Sequence, residues 1–170
     1  FQTAYLKTHF PIYFFCASMN TELSNTDKLN LFYEELKRLK IDIRPPNINY
    51  SYAEFLPRQK TIYYALSAIK AVGYEAISNI VKEREKNGIF NSISNFLSRT
   101  ESKNLNKLQL EGLIKSGSLD NLDQNRKKLY ENVPDFIKQS KSSDETNSDN
   151  QNFLFAKEFQ ENDNINKRNN

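Results

Sequence analysis

Between Asn25 and Leu39 the apolar positions Leu29, Phe32, Tyr33, Leu36 and Leu39 recur at i, i+3, i+4, i+7 and i+10, the clearest amphipathic helix in the chain. Asn25 or Thr26 stands where a cap is needed. Upstream, Phe1 to Thr8 carries apolar or aromatic residues at positions 1, 4, 5 and 6, and Pro11 suits the first turn of a second helix through Ile12, Phe15, Cys16 and Met19. This pattern predicts a buried helical pair. Ile41 to Ile43 alternates apolar and polar, and Pro45-Pro46 stops any regular element, so an extended segment and a loop through Asn47-Ile48-Asn49 are expected. Thr61 to Ala65, rich in β-branched and aromatic residues, predicts a strand.

From Leu66 the period shortens. A helix Leu66–Lys70 is expected to break at Gly73, and a second, Glu75–Lys86, places Ile77, Ile80 and Val81 on one face before Asn87-Gly88 ends it. Ile93, Phe96 and Leu97 mark a short helix. Asn106 caps Lys107 to Ser116, with Leu110, Leu113 and Ile114 inward and Gly117 just past the end. Leu119 and Leu122 pack back, and a helix from Gln124 to about Gln139 is kinked or divided at Pro134. Beyond Gln139 the residues are Ser, Asn, Asp, Gln and Lys, a composition that cannot offset its ordering entropy, so 140–170 is expected to be disordered apart from one apolar island.

Composition narrows the function classes. The chain of 170 residues has one Cys and one His, so Cys16 and His9 give neither an intrachain disulfide nor a zinc site built from soft ligands. Cys16 reads as a small core residue, and His9 as a packed or capping one. The apolar run Phe10 to Ala17 is too short to span a bilayer and no charged leader precedes it, which predicts a soluble cytoplasmic protein without membrane partners. Because the chain opens on Phe1 within a helical pattern, a piece of a longer protein is expected. Net charge is +3, with +4 on the first 137 residues and −1 on the rest, so the part expected to fold is the basic part.

Three features carry candidate chemistry. The turn Ala71-Val72-Gly73 joins two helical segments through a small residue, a hydrophobe and a glycine, the pattern of a helix-hairpin-helix whose backbone N–H groups face a phosphate. Here Gly73 is expected to supply a positive φ, Val72 to anchor the turn, and Lys70, Lys82, Arg84 and Lys86 to neutralise phosphates; a plain αα-corner with solvated lysines fits the same residues. The segment from Asn106 to Leu122, with Gly117 and with Lys103, Lys107 and Lys115 around it, reads either as a pseudo-symmetric second half or as an ordinary helix end. The third is the island Gln151-Asn152-Phe153-Leu154-Phe155, either a short linear motif in which Gln151, Leu154 and Phe155 enter a partner's pocket, or a fragment of a severed element. No Asp-x-Asp pair, phosphate-cradling Gly-x-x-x-x-Gly-Lys loop or Gly-x-Ser-x-Gly occurs, so no active site is expected in the chain itself. The fold class expected is mainly α: a short-helix bundle with a tandem helix-hairpin-helix module, one or two short strands and a disordered C-terminal tail.

In order and spacing, Phe1-Gln2-Thr3-Ala4-Tyr5-Leu6-Lys7-Thr8-His9-Phe10-Pro11, Asn25-Thr26-Asp27-Lys28 and Pro45-Pro46-Asn47-Ile48-Asn49 resemble the end of the fingers region in the alpha subunits of bacterial DNA polymerase III, the C-family replicative polymerases. Ala68-Ile69-Lys70-Ala71-Val72-Gly73 resembles that family's helix-hairpin-helix, and Asn106-Lys107 with Leu113 to Leu122 the segment after it. The resemblance covers residues 1–137. It implies three parts: 1–57, the C-terminal part of the fingers; 58–139, a DNA-binding module; and 140–170, a linker with a clamp-binding peptide. It further implies a grip on duplex DNA, without sequence reading, through Lys70, Ala71, Val72, Gly73, Lys107, Lys115 and Gly117. Gln151, Leu154 and Phe155 match the family's peptide for the sliding clamp, and other holoenzyme subunits are implied partners. The family's catalytic aspartates lie upstream of residue 1, so no cofactor is expected here and Mg²⁺ belongs to the parent active site. Two departures stand out: the family usually has Gly where this chain has Ala71 and Glu75, which implies a weaker phosphate grip. Apart from the resemblance, a helix-hairpin-helix repair enzyme or a helical interaction adaptor are the competing readings, the first opposed by the lack of Trp and of a placed acid–base pair.

Overall fold

The computed structural model describes residues 2–100 and 105–138. Helices α1 (Gln2–His9), α2 (Pro11–Asn20) and α3 (Thr26–Arg38) lead into a small sheet of β1 (Asp42–Arg44), β2 (Pro57–Arg58) and β3 (Thr61–Tyr63). A 3-10 turn (Leu66–Ala68) follows, then α4 (Tyr74–Asn87), α5 (Ile93–Arg99), α6 (Lys107–Lys115) and α7 (Arg126–Glu131), and residues 133–138 are helical again. The mainly helical class expected from the pattern is what the chain adopts. Among the described residues no helix is long and apolar enough to cross a membrane.

Local chemistry sets most helix starts. Pro11 opens α2; the Asn25 side chain, not that of Thr26, caps α3 by accepting from the Lys28 N–H at 3.1 Å. Ser92 and Asn125 cap α5 and α7 in the same way, and α6 begins with a reciprocal box in which Asn106 and Gln109 each accept the other's N–H. The helix expected over 124–139 is divided at Asn132, whose amide donates to the Lys128 carbonyl at 2.8 Å, and Pro134 follows in the first turn of the next helical stretch.

Strand β3 lies between the other two, parallel to β1 (Asp42↔Thr61, Ile43↔Ile62, Arg44↔Tyr63) and antiparallel to β2 (Pro57↔Ile62, Arg58↔Thr61). The strand expected over Thr61–Ala65 is therefore shorter, and β2 is an addition. Pro57 heads an edge strand, where its missing N–H breaks no central ladder.

Two apolar clusters hold the chain. One gathers Phe15, Met19, Leu29, Leu36, Phe55 and Ile62 under α2, α3 and the sheet; the other gathers Leu66, Ile77, Phe90, Phe96, Leu113 and Val133 among the later helices. They interleave in sequence, since Ile48 and Ala53 belong to the second while Phe55 and Ala65 belong to the first. Helix α2 is buried through Phe15, Cys16 and Met19, as its pattern implied, whereas α1 is not its equal partner: Tyr5 and Leu6 are about half exposed. His9 is exposed, stacked on Tyr5 at 4.1 Å. Burial pushes the Cys16 thiol up to about 12, so it stays a neutral core group.

Two asparagines act as surrogate strand partners. Asn20 accepts from the Phe55 N–H (2.7 Å) and donates to the Phe55 carbonyl (3.0 Å), and Asn49 does the same for Phe90 at 2.8 Å each way. Each satisfies both main-chain groups of a buried phenylalanine with one amide.

Candidate nucleic-acid interface

The hairpin turn differs from its expected form in three ways. Its first arm is a 3-10 turn of three residues and not a helix reaching Lys70. Ile69 then starts a β-turn closed by the Val72 N–H on the Ile69 carbonyl at 3.1 Å. The positive φ falls on Ala71 (+68°), the third position of that turn, while Gly73 has φ −78° and ψ 142° and serves as the N-cap of α4. A type II turn demands positive φ at that third position, which is why glycine is the favoured residue there.

Geometry nonetheless exposes the groups that matter. Lys70, Ala71, Gly73 and Tyr74 face solvent, whereas Val72 is buried at 6% exposure and pins the turn into the second cluster. Gly73 has no side chain to cap α4, and among the described residues no backbone carbonyl pairs with the N–H groups of Ala71, Gly73 or Tyr74. Open donors at the positive end of a 14-residue helix are the kind of group that suits an anion. Lys70 beside them has no carboxylate in ion-pair range among the described residues. Glu75 sits exposed in the first turn of α4, adding a negative charge at its mouth.

Gly112, which sequence reasoning missed, explains how the turn is held. A Cβ there would lie 2.9 Å from the Lys70 carbonyl oxygen and 3.0 Å from Val72 Cγ2, so α6 rests its backbone directly on the turn. On the same face, Gln109 Nε2 would be 3.3 Å from a Cβ at Gly73. The available signal was a glycine inside an otherwise good helical pattern, which marks a close approach.

The far end of α6 forms the second half. Gly117, at φ +80°, closes a Schellman motif, its N–H on the Ile114 carbonyl and the Ser118 N–H on the Leu113 carbonyl, both at 3.1 Å. Those donors are used internally, and an Asp120–Arg126 ion pair stands beside Gly117. The Gly117 and Ser118 N–H groups are therefore not open, and what the second half offers is cations. Lys107 and Lys115 extend from α6 with Nζ 3.9 and 3.8 Å from Glu111, and Lys115 lies 4.7 Å over the Tyr130 ring. Both ion pairs are long and their ammonium ends are exposed although Glu111 is largely covered, so they hold the lysines weakly.

Arg84 does not join the cations. It is 6% exposed, donates from Nη1 to the carbonyls of Ile48 and Ser51 at 2.7 Å each, and lies 5.2 Å over Tyr52, with its pKa lowered chiefly by desolvation. Lys82 and Lys86, on the same helix, stay exposed. Glu83 is held below the usual carboxylate range by the Asn87 amide and by Arg99, which ties α4 to α5. Lys103 and the peptide residues Gln151, Leu154 and Phe155 lie outside the described residues.

Residues 40–129, the stretch that contains the turn, α6 and Gly117, match a family model described as the helix-hairpin-helix motif. The chain belongs to the helix-hairpin-helix family. Its curated relatives agree with the resemblance read from the sequence: it is a fragment of the DNA polymerase III alpha subunit type. It is 44% identical to the DNA polymerase III subunit alpha of Borreliella burgdorferi over 92% of this chain and 14% of that protein. With that of Buchnera aphidicola subsp. Schizaphis graminum the figures are 40%, 100% and 15%, and with that of Caulobacter vibrioides 37%, 84% and 12%. The chain thus spans about one seventh of the length of the curated relatives it matches.

Proposed function

We propose that this chain grips the sugar–phosphate backbone of duplex DNA without reading base sequence, as one segment of a DNA polymerase III alpha subunit engaged in DNA replication. The observation that carries this reading is the turn at 70–74, exposed except at Val72, where the N–H groups of Ala71, Gly73 and Tyr74, without a backbone partner among the described residues, converge with Lys70 at the uncapped start of α4. Lys107 and Lys115 add charge from α6, and Val72 and Gly117 fix the two turn geometries without touching a base. In the same reading Mg²⁺ chemistry belongs to a parent active site outside this chain, and the partners are the other polymerase III holoenzyme subunits.

The test is binding to two duplexes of unrelated sequence across a salt series. Lys70→Glu should weaken both equally and flatten the slope of log K against log salt by about one, as loss of one phosphate contact requires. Unchanged affinity and slope would sink the proposal. Clamp tethering through Gln151, Leu154 and Phe155 is a further part of it, supported by the match of these residues to the family's peptide pattern. A Gln151–Phe155 peptide that binds a bacterial sliding clamp, and loses binding with Leu154 and Phe155 changed to Ala, is the expected outcome; no binding by either peptide removes that part.

A further inference from the structure

Beside the hairpin, the small sheet carries a partly exposed cluster that neither apolar core uses, with Tyr50 exposed and Tyr63 half-buried. Tyr50 is 42% exposed, its ring 5.6 Å from that of Tyr63 at an interplanar angle of 30°, with the Arg58 guanidinium 5.7 Å from its centroid. Tyr50 and Tyr63 belong to neither cluster, unlike their neighbours Tyr52 and Tyr64. Arg58 pairs with Thr61 across β2 and β3, and exposed Lys60 adds a second cation in the turn that joins those strands. The nearby carboxylate Asp42 is taken up by Arg44 at 3.0 Å and the Thr61 hydroxyl at 2.9 Å. The loop bearing Tyr50 is anchored to both halves of the candidate interface, to α4 through Arg84 and to the turn after α6 through the Ile48 N–H on the Ser118 carbonyl at 2.8 Å.

We infer that Tyr50, Tyr63, Arg58 and Lys60 form a contact surface for single-stranded nucleic acid, adjoining the proposed duplex grip and chemically distinct from it. A duplex hides its base faces, so exposed phenol rings add little to its binding, whereas phosphate neutralisation alone calls for cations without aromatics. Paired tyrosines interleaved with a guanidinium and an ammonium supply what an unpaired strand presents: π-faces for its bases and positive charge for its phosphates. The partner is therefore a strand with free bases, such as the single-stranded extension of a duplex end.

The experiment measures binding of the 170-residue chain to an unstructured thymidine-rich single strand, a blunt duplex and the same duplex with a single-stranded overhang. Tyr50→Ala and Arg58→Ala should each weaken the first and third probes at least about fivefold and leave the blunt duplex unchanged, while Tyr50→Phe, which keeps the ring, retains binding. Arg58 is exposed, so its variant tests the idea even where Tyr50→Ala disturbs the loop. Absence of single-strand binding by the unmodified chain, variants that bind all probes normally, or equal loss on the blunt duplex would each overturn the inference. Lys70→Glu should weaken both duplex probes and leave the single strand unchanged, so failure of the duplex grip and failure of this surface are read separately.

Discussion

Ala71 holds a backbone conformation that costs an L-residue with a Cβ about 1–2 kcal/mol. Ala71→Gly removes that cost and adds a smaller entropic one in the unfolded chain, so a net gain of about 0.5–1 kcal/mol is expected. A urea midpoint that rises at unchanged slope is the expected result; a lowered midpoint would show that the turn does not strain this residue. The site was only partly legible at this scale. Spacing pointed to Gly73 as the left-handed residue because glycine is the usual bearer of positive φ, and only the resemblance, with its usual Gly at position 71, pointed to the right place. Arg84 is a different case, since Ile77, Ile80, Val81 and Arg84 continue one i, i+3, i+4, i+7 stripe, so its burial was readable from the period once its charge was set aside.

At the scale of elements, α6 serves both half-motifs: its middle supports the first turn and its C-terminal end becomes the second. Gly112→Ala therefore sets two effects against each other. Helix propensity alone would stabilise by about 1 kcal/mol. The clash with the Lys70 carbonyl, a backbone atom that moves only with the turn, should outweigh it and leave a net loss of about 1–2 kcal/mol in thermal unfolding. Net stabilisation would mean that α6 can back away from the turn. Elements set by local chemistry were legible, as the Asn25 and Asn106 caps and the stripe of α3 show. The two-residue strand β2 and the shortened first hairpin arm were not, because two-residue pairings and 3-10 turns are decided by what they pack on and not by their own periodicity.

For the whole molecule, Arg84 joins parts that sequence patterning treats separately, fastening the loop at 47–51 to α4. Arg84→Ala leaves the buried carbonyls of Ile48 and Ser51 without their donor, for an expected loss of about 3 kcal/mol. Measured by chemical denaturation, a loss below about 0.5 kcal/mol would show that the loop is held by its other bonds. The Asn49–Phe90 amide pair spans 41 residues, and Arg84 reaches back 36 and 33 to its two carbonyls. During synthesis, which proceeds from the N-terminus, the 47–51 loop must therefore wait in water until α4 and Phe90 have left the ribosome. The amphipathic α3 and its cap are complete long before that, so the earlier helices can gather first while the surface that would meet nucleic acid is assembled last.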